Sequence, residues 1–273
     1  MDAQLPERFR AHIHGDGGKT VVMGHGFGAD QASWRPQVAR LVAAGYRVVT
    51  YDPAGSTGET VPLYHAGRHD SLFGFAEDLI ALAAALDIAD AHYVGHSAGG
   101  LIGILAANGQ PGLFRSLSLI GASARYIDDP EDGYIGGFSR RQVDDLVAAM
   151  RSDYAAWANG FARLMVANPE RPHLSVEFSR SLLGLRPDVA SAILETILLS
   201  DHREDAARVA VPTQVLQTER DPAVPLAAAQ WLARSTRAGD LRIIAAEGHF
   251  PHISAPEAVG AALLDFLRDH APC

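Results

Sequence analysis

The sequence predicts a doubly wound α/β fold: a mostly parallel sheet flanked by helices, with four further helices inserted late in the sheet. Three observations carry this. Short β-branched runs alternate with segments of helical periodicity, and most of the runs are apolar on both faces. A long stretch after residue 125 then breaks the alternation with helical pattern alone. Runs that are apolar on both faces suit parallel strands covered by helices on each side.

The first three runs are Thr20-Val21-Val22-Met23, Arg47 to Tyr51 and His92-Tyr93-Val94. The next three are Leu117 to Ile120, Thr213 to Leu216 and Leu241 to Ile244. Phe75, Leu79, Leu82 and Leu86 recur at helical spacing before the third run, as do Leu263, Leu264 and Leu267 after the sixth. From about Arg125 to Asp205 the pattern reads as helix throughout. Ser139-Arg140-Arg141-Gln142 has the spacing of a capping box and opens a face of Val143, Leu146, Val147 and Met150. Tyr154, Trp157, Phe161, Leu164 and Met165 continue in the same style. Pro169 and Pro187 sit where a first helical turn accepts a proline, and Ile193, Leu194, Ile197 and Leu198 close the stretch. The expected organisation is a core in two parts, residues 1–124 and 207–273, with a helical cap at 125–206. Such a cap lies over the C-terminal edge of the sheet, where open α/β sheets bind ligands.

Composition narrows the function. With 48% hydrophobic residues in 273, the chain can bury a large core, which excludes wholesale disorder. Against 23 Lys+Arg stand 32 Asp+Glu, a net charge of −9, so a nucleic-acid partner is not expected. The one cysteine, Cys273, cannot form an internal disulfide. Asp2, Glu7, Arg8 and Arg10 leave no apolar run for a signal peptide. The longest apolar run, Leu79 to Leu86, falls far short of the ~20 residues of a membrane span. A cytoplasmic protein is the expectation.

Gly95-His96-Ser97-Ala98-Gly99 matches G-x-S-x-G, which places a serine on a strained strand-to-helix turn. Alone it is weak: the glycine and serine contents predict roughly 0.14 such matches by chance. Its context strengthens it, because a strand-like run precedes it and Leu101 to Ala106 reads as the following helix. A serine hydroxyl needs a base, and the base needs an orienting acid, in the chain order Ser, acid, His. Asp221 follows the fifth run and His249 the sixth, so both stand at C-terminal strand ends with Ser97. Asp221 is preferred to Glu219, which lies nearer the strand. His249 is preferred to His252 because Gly248 lets the backbone bend just before it. The loop His25-Gly26-Phe27-Gly28 can turn backbone N–H groups toward a ligand, and Ala98 N–H is the natural second donor.

The remaining histidines carry no metal spacing. His12-x-His14, His65-x₃-His69 and His249-x₂-His252 match no zinc motif, and the better reading is surface histidines in loops. His96 reads as a packing residue of the elbow. No metal, flavin or nucleotide cofactor is expected.

Longer motifs span nearly the whole chain. They are His25 to Gln31 with Trp34, the elbow at Gly95 to Gly99, and Gly136-Gly137-Phe138. Trp157 with Gly160-Phe161, Glu177 to Arg180, Arg186-Pro187-Asp188 and Ser200-Asp201 follow. Asp221 to Pro225 and Glu247 to His252 complete the set. In these motifs the sequence resembles the serine α/β-hydrolases, and more narrowly the family of the bacterial stress regulator RsbQ and the plant karrikin and strigolactone receptors. The resemblance implies an α/β-hydrolase fold and a triad of Ser97, Asp221 and His249. It implies an oxyanion hole formed by the backbone N–H groups of Phe27 and Ala98. It maps an aromatic substrate pocket onto Phe27, Phe138, Phe161 and Phe178, with Trp157 among its motifs. Leu198 stands where the family has a further phenylalanine, and Ala98 where it usually has valine.

The function expected first is an esterase or lactonase acting on a small, neutral, apolar substrate through an acyl-enzyme. The resemblance also implies an alternative, a signalling regulator or ligand receptor with slow hydrolysis and a protein partner. C–C cleavage or haloperoxidase-like chemistry uses the same triad. The sequence leaves these open.

Overall fold

A computed structural model of the chain describes residues 4–237 and 239–270; Asp2 and Cys273 lie outside them. Its strands are β1 (His12–His14), β2 (Lys19–Gly24), β3 (Tyr46–Thr50), β4 (Ala91–His96), β5 (Phe114–Ile120), β6 (Thr213–Arg220) and β7 (Asp240–Glu247). They form one sheet in the order β1-β3-β2-β4-β5-β6-β7. Only β1, at the edge, is antiparallel to its neighbour.

The helices are α1 (Leu5–Arg8), α2 (Arg35–Ala43), α3 (Leu72–Ala85), α4 (Ala98–Gly109), α5 (Arg140–Ser152) and α6 (Tyr154–Val166). After them come α7 (Pro172–Leu183), α8 (Pro187–Leu199), α9 (Arg203–Ala207), α10 (Leu226–Ser235), α11 (Pro251–Ser254) and α12 (Pro256–Asp269). Strand residues alternate between two buried layers, as the pleat requires. Val21, Met23, Val48, Val94 and Leu216 pack with Leu41 of α2 and with Leu263 and Leu267 of α12. Val22, Val49, Tyr93 and Val215 face the other way, onto Leu79 and Leu82 of α3 and Leu101 and Leu105 of α4. Burying each large apolar side chain contributes about 1.5–3 kcal/mol, so both faces of the sheet hold the fold together.

Because β3 and β4 flank β2, the chain leaves the centre of the sheet first one way and then the other. That reversal opens a crevice at the C-terminal strand ends. The helices α5 to α9, inserted between β5 and β6, meet the loops on this edge. A Cβ at Gly28 would strike Leu182 of α7, and one at Gly55 would approach Val189 and Ile193 of α8.

Four expectations are corrected. His12 and His14 belong to a strand, β1, rather than to a loop. Residues 125–138 are not helical; they form a loop with bridges between Ile127 and Phe138 and between Asp129 and Tyr134. The reason is one side chain: the Asp128 carboxylate accepts the N–H groups of Gly136 and Gly137, closing the loop on itself. Pro169 lies in a turn, and Pro172 takes the first turn of α7 instead. His69 and His252 are fully buried rather than on the surface.

Candidate active site

Ser97 leaves β4 at φ +53° and ψ −123°, a conformation that costs a non-glycine residue about 1–3 kcal/mol. Its neighbours hold it there. Its N–H donates to the Ile120 carbonyl of β5 over 2.8 Å, and its carbonyl accepts the Gly100 N–H over 2.9 Å. The hydroxyl is thereby aimed off the sheet edge rather than into the following helix.

His249 follows β7 through Gly248, which adopts φ +87°. The Gly248 N–H donates to the Arg220 carbonyl, and the Thr218 hydroxyl donates to the Gly248 carbonyl, each over 2.8 Å. His249 Nε2 lies 2.9 Å from Ser97 Oγ. On the other side of the ring, Nδ1 lies 2.8 Å and 3.0 Å from the two carboxylate oxygens of Asp221. A carboxylate only accepts, so Nδ1 carries the hydrogen and Nε2 offers its lone pair to the serine hydroxyl.

Asp221 is buried where β6 ends. Burial alone would raise its pKa. The neighbouring His249, the Ala223 N–H and the Gln217 amide outweigh that and hold the carboxyl below its ordinary value. Glu219, two residues earlier, is exposed. His252 sits in α11 with its ring 4.5 Å from Trp34. Its burial, aided by His249 and His25, pushes its pKa down to about 3.

The loop after β2 touches the serine directly, since a Cβ at Gly26 would stand 2.9 Å from Ser97 Cβ. His25 at its root donates Nδ1–H to the Gly26 carbonyl over 2.9 Å and approaches buried Asp52 at 3.2 Å. Among the described residues no protein acceptor takes the N–H of Phe27 or of Ala98. Tyr126 is the residue that sequence reasoning missed. Its hydroxyl lies 3.4 Å from Ser97 Oγ, and burial raises its pKa. It stands in the stretch read as helix, where nothing local marks it as facing the serine.

Four of the six aromatic-pocket positions come together. Phe27 is 6.4 Å from both Trp157 and Phe161, and those two rings stack at 4.7 Å. Phe161 reaches Phe178 at 6.3 Å, and Phe178 meets Phe250 at 4.5 Å. Phe138 makes no ring contact with this group among the described residues; its backbone pairs with Tyr126 and Asp128. Leu198 is buried on α8. A cavity of about 40 Å³ beside Ala98 is lined by Phe27, Ile102, Ile193 and Ile197, among others, but not by Leu198. A wider groove of about 880 Å³ runs past Phe178 and Phe250.

Among the described residues no group of His, Cys, Asp or Glu is placed to hold a metal, and no helix is long and apolar enough to cross a membrane. The histidine pairs have other partners. His12 bonds Gln31 at 2.8 Å, His14 bonds Thr50 at 3.1 Å, and His69 links the His65 N–H to Asp78.

Comparison with known proteins identifies the family of the chain. A sequence model described as the alpha/beta hydrolase family matches residues 21–262. The chain is 37% identical over 265 residues to karrikin insensitive 2 receptor CA of Petunia hybrida, covering 97% of each chain. It is 36% identical over 268 residues to strigolactone esterase D14 of Arabidopsis thaliana, again covering 97% of each. Its fold superposes on a hydrolase from Oleispira antarctica with a TM-score of 0.92, at 28% identity over 97% of this chain and 96% of that one. A strand-ended serine, acid and histidine on this sheet, within a chain that matches over nearly its full length, place the protein in the alpha/beta hydrolase family, alongside the karrikin insensitive 2 receptors and strigolactone esterases.

Proposed function

We propose that this protein is a serine hydrolase that cleaves a small, uncharged, apolar ester or lactone through an acyl-enzyme on Ser97. The observation that carries the reading is the unbroken hydrogen-bonded line from Ser97 Oγ through His249 to Asp221. His249 Nε2 takes the serine proton as Oγ attacks the carbonyl carbon, and Asp221 stabilises the imidazolium that forms. Negative charge then gathers on the carbonyl oxygen, where the N–H groups of Phe27 and Ala98 receive it. Each such donor is worth about 10²–10³ in rate. The imidazolium next protonates the departing alkoxide, which in a lactone stays tethered to the acyl group. Water, activated by the same histidine, releases the acid and restores Ser97.

The rings of Phe27, Trp157, Phe161 and Phe178 support an apolar substrate, because an unpaired charge buried against them would cost several kcal/mol. In this reading Ile193 and Ile197 extend the wall beside Ala98, and residues 125–206 form the cap that closes over the ester. The test is a serine-directed phosphonate reagent followed by mass analysis, run beside p-nitrophenyl acetate hydrolysis. One adduct on Ser97 is expected, with neither adduct nor turnover in Ser97→Ala. An adduct on another residue, or none, sinks the reading.

A ligand-responsive regulator with slow turnover and a protein partner is the second reading. The 37% identity to a karrikin insensitive 2 receptor favours it. It predicts a protein captured only in the presence of ligand, from the source cell and at physiological salt.

A further inference from the structure

We propose that His96, the residue before the nucleophile, is a positioning residue for the base: its ring N–H ties the main chain of His249 to the elbow that carries Ser97. The inference rests on the roles given to Ser97 and His249 above. His96 ends β4 and is wholly buried. Its Nε2 donates to the carbonyl oxygen of His249 over 2.8 Å. A carbonyl only accepts, so Nε2 carries the ring hydrogen. Nδ1, on the other edge, faces the loop after β2, where a Cβ at Gly26 would stand 2.9 Å away.

The His96 ring also packs beneath the site, 4.8 Å from the His249 ring, 4.8 Å from Phe250 and 4.5 Å from His252. Burial first, then the nearness of His252 and His249, hold its pKa well below the ordinary histidine value. A neutral ring is what the reaction needs at this place. A second cation there would oppose the imidazolium that forms on His249.

The tie matters because the reacting pair comes from distant parts of the chain. Ser97 and His249 are 152 residues apart, yet Oγ and Nε2 must hold their separation to within about 0.5 Å. The bond from His96 closes a small loop of contacts. It runs from Ser97 through its neighbour's ring to the His249 backbone, then through the His249 side chain back to Ser97 Oγ. The elbow therefore sets the position of its own base. The Met165 carbonyl holds the His249 N–H, and Arg220 and Thr218 hold Gly248, so removing the His96 donor frees the His249 carbonyl, the side of the turn that faces the elbow.

The test compares two replacements. His96→Gln carries an amide N–H to about the place of Nε2, whereas His96→Phe keeps a ring but has no donor. With p-nitrophenyl acetate, His96→Phe should lower kcat about tenfold or more with KM within about twofold, and slow phosphonate labelling of Ser97 by the same factor. His96→Gln should stay within about threefold of the parent in both. The low-field NMR signal of the proton between His249 and Asp221 should stay sharp in His96→Gln and broaden in His96→Phe. Parent-like kcat with a sharp signal in His96→Phe overturns the proposal, and so does equal impairment of the two variants. Should His96→Phe not fold, His96→Met supplies the donor-free comparison. The proton signal needs no substrate, so it separates failure of this proposal from failure of the hydrolase reading, which the absence of a Ser97 adduct in the parent protein would show.

Discussion

The N–H of His249 donates to the main-chain carbonyl of Met165 over 2.8 Å, so the last turn of α6 is bonded directly to the turn that carries the candidate base. The neighbouring residue is pressed into the same contact. A Cβ at Gly248 would fall well inside van der Waals contact distance of the Val166 carbonyl oxygen. An inserted helix and a turn of the sheet edge thus behave as one packed unit beside Ser97.

Gly248→Ala tests that unit. The substitution adds left-handed strain worth about 1 kcal/mol and a collision with α6, so both thermal stability and ester turnover should fall. Gly45 has a similar φ of +86° with open space around it, so Gly45→Ala should cost stability alone. Melting temperatures and kcat for the two variants check this. Equal activity in both would show that the contact with α6 does not position His249.

Ser97→Ala should remove hydrolysis of p-nitrophenyl acetate while leaving the melting temperature nearly unchanged. Asp221→Asn should lower kcat by about 10²–10⁴, since it disturbs only the orientation of His249 and the charge beside it. Circular dichroism and initial rates suffice to compare them. Most of the activity surviving in Ser97→Ala would mean another nucleophile.

Acyl-chain preference should follow Ile197 rather than Leu198. Ile197 lines the cavity beside Ala98 and Leu198 does not. Ile197→Ala should raise kcat/KM for butyrate over acetate esters by a factor worth about 1–3 kcal/mol, and Leu198→Ala should leave that ratio alone. The reverse pattern would place the acyl group on the Leu198 side, as the family resemblance maps it.

Stability should decline well above the usual carboxylate range as pH falls. Burial depresses the pKa of His92 from 6.5 to about 4, with Lys19 and His270 adding to the effect. The unfolded chain therefore takes up the proton first, and stability is lost from about pH 6.5 down toward pH 4. For His92 the loss between pH 7 and pH 5 is about 2 kcal/mol, and buried His252 acts in the same direction. Asp52 and Asp221, held below 3.8, matter only at lower pH. Urea unfolding at pH 7 and pH 5 measures the slope, and His92→Gln should flatten it. An unchanged slope in that variant would assign the acid loss elsewhere.

Local chemistry was enough to read six of the seven strands, because β-branched runs, capping residues and proline positions act within a few residues of themselves. The capping box at Ser139 forms as its spacing predicts, with Ser139 and Gln142 bonding each other's backbones. β1 escaped because it is three residues long with Ile13 half exposed, so it shows no apolar run. The loop at 125–138 escaped because its turns depend on one carboxylate, Asp128, meeting two glycine N–H groups eight and nine residues on.

Chain order alone picks out the residues that could do chemistry and the strand ends that present them: Ser97 in its glycine-flanked turn, Asp221 after one strand, His249 behind Gly248 after the next. Tertiary structure alone decided the distances between them and the company they keep. Only packing could bring Tyr126 to 3.4 Å from Ser97, bury His252 against Trp34, or tie His96 to the backbone of a residue 153 positions away. The physical reason is range. Turn and strand preferences act over a few residues, whereas burial and hydrogen bonding at a site are settled by groups that meet only when the whole sheet and its inserted helices close together.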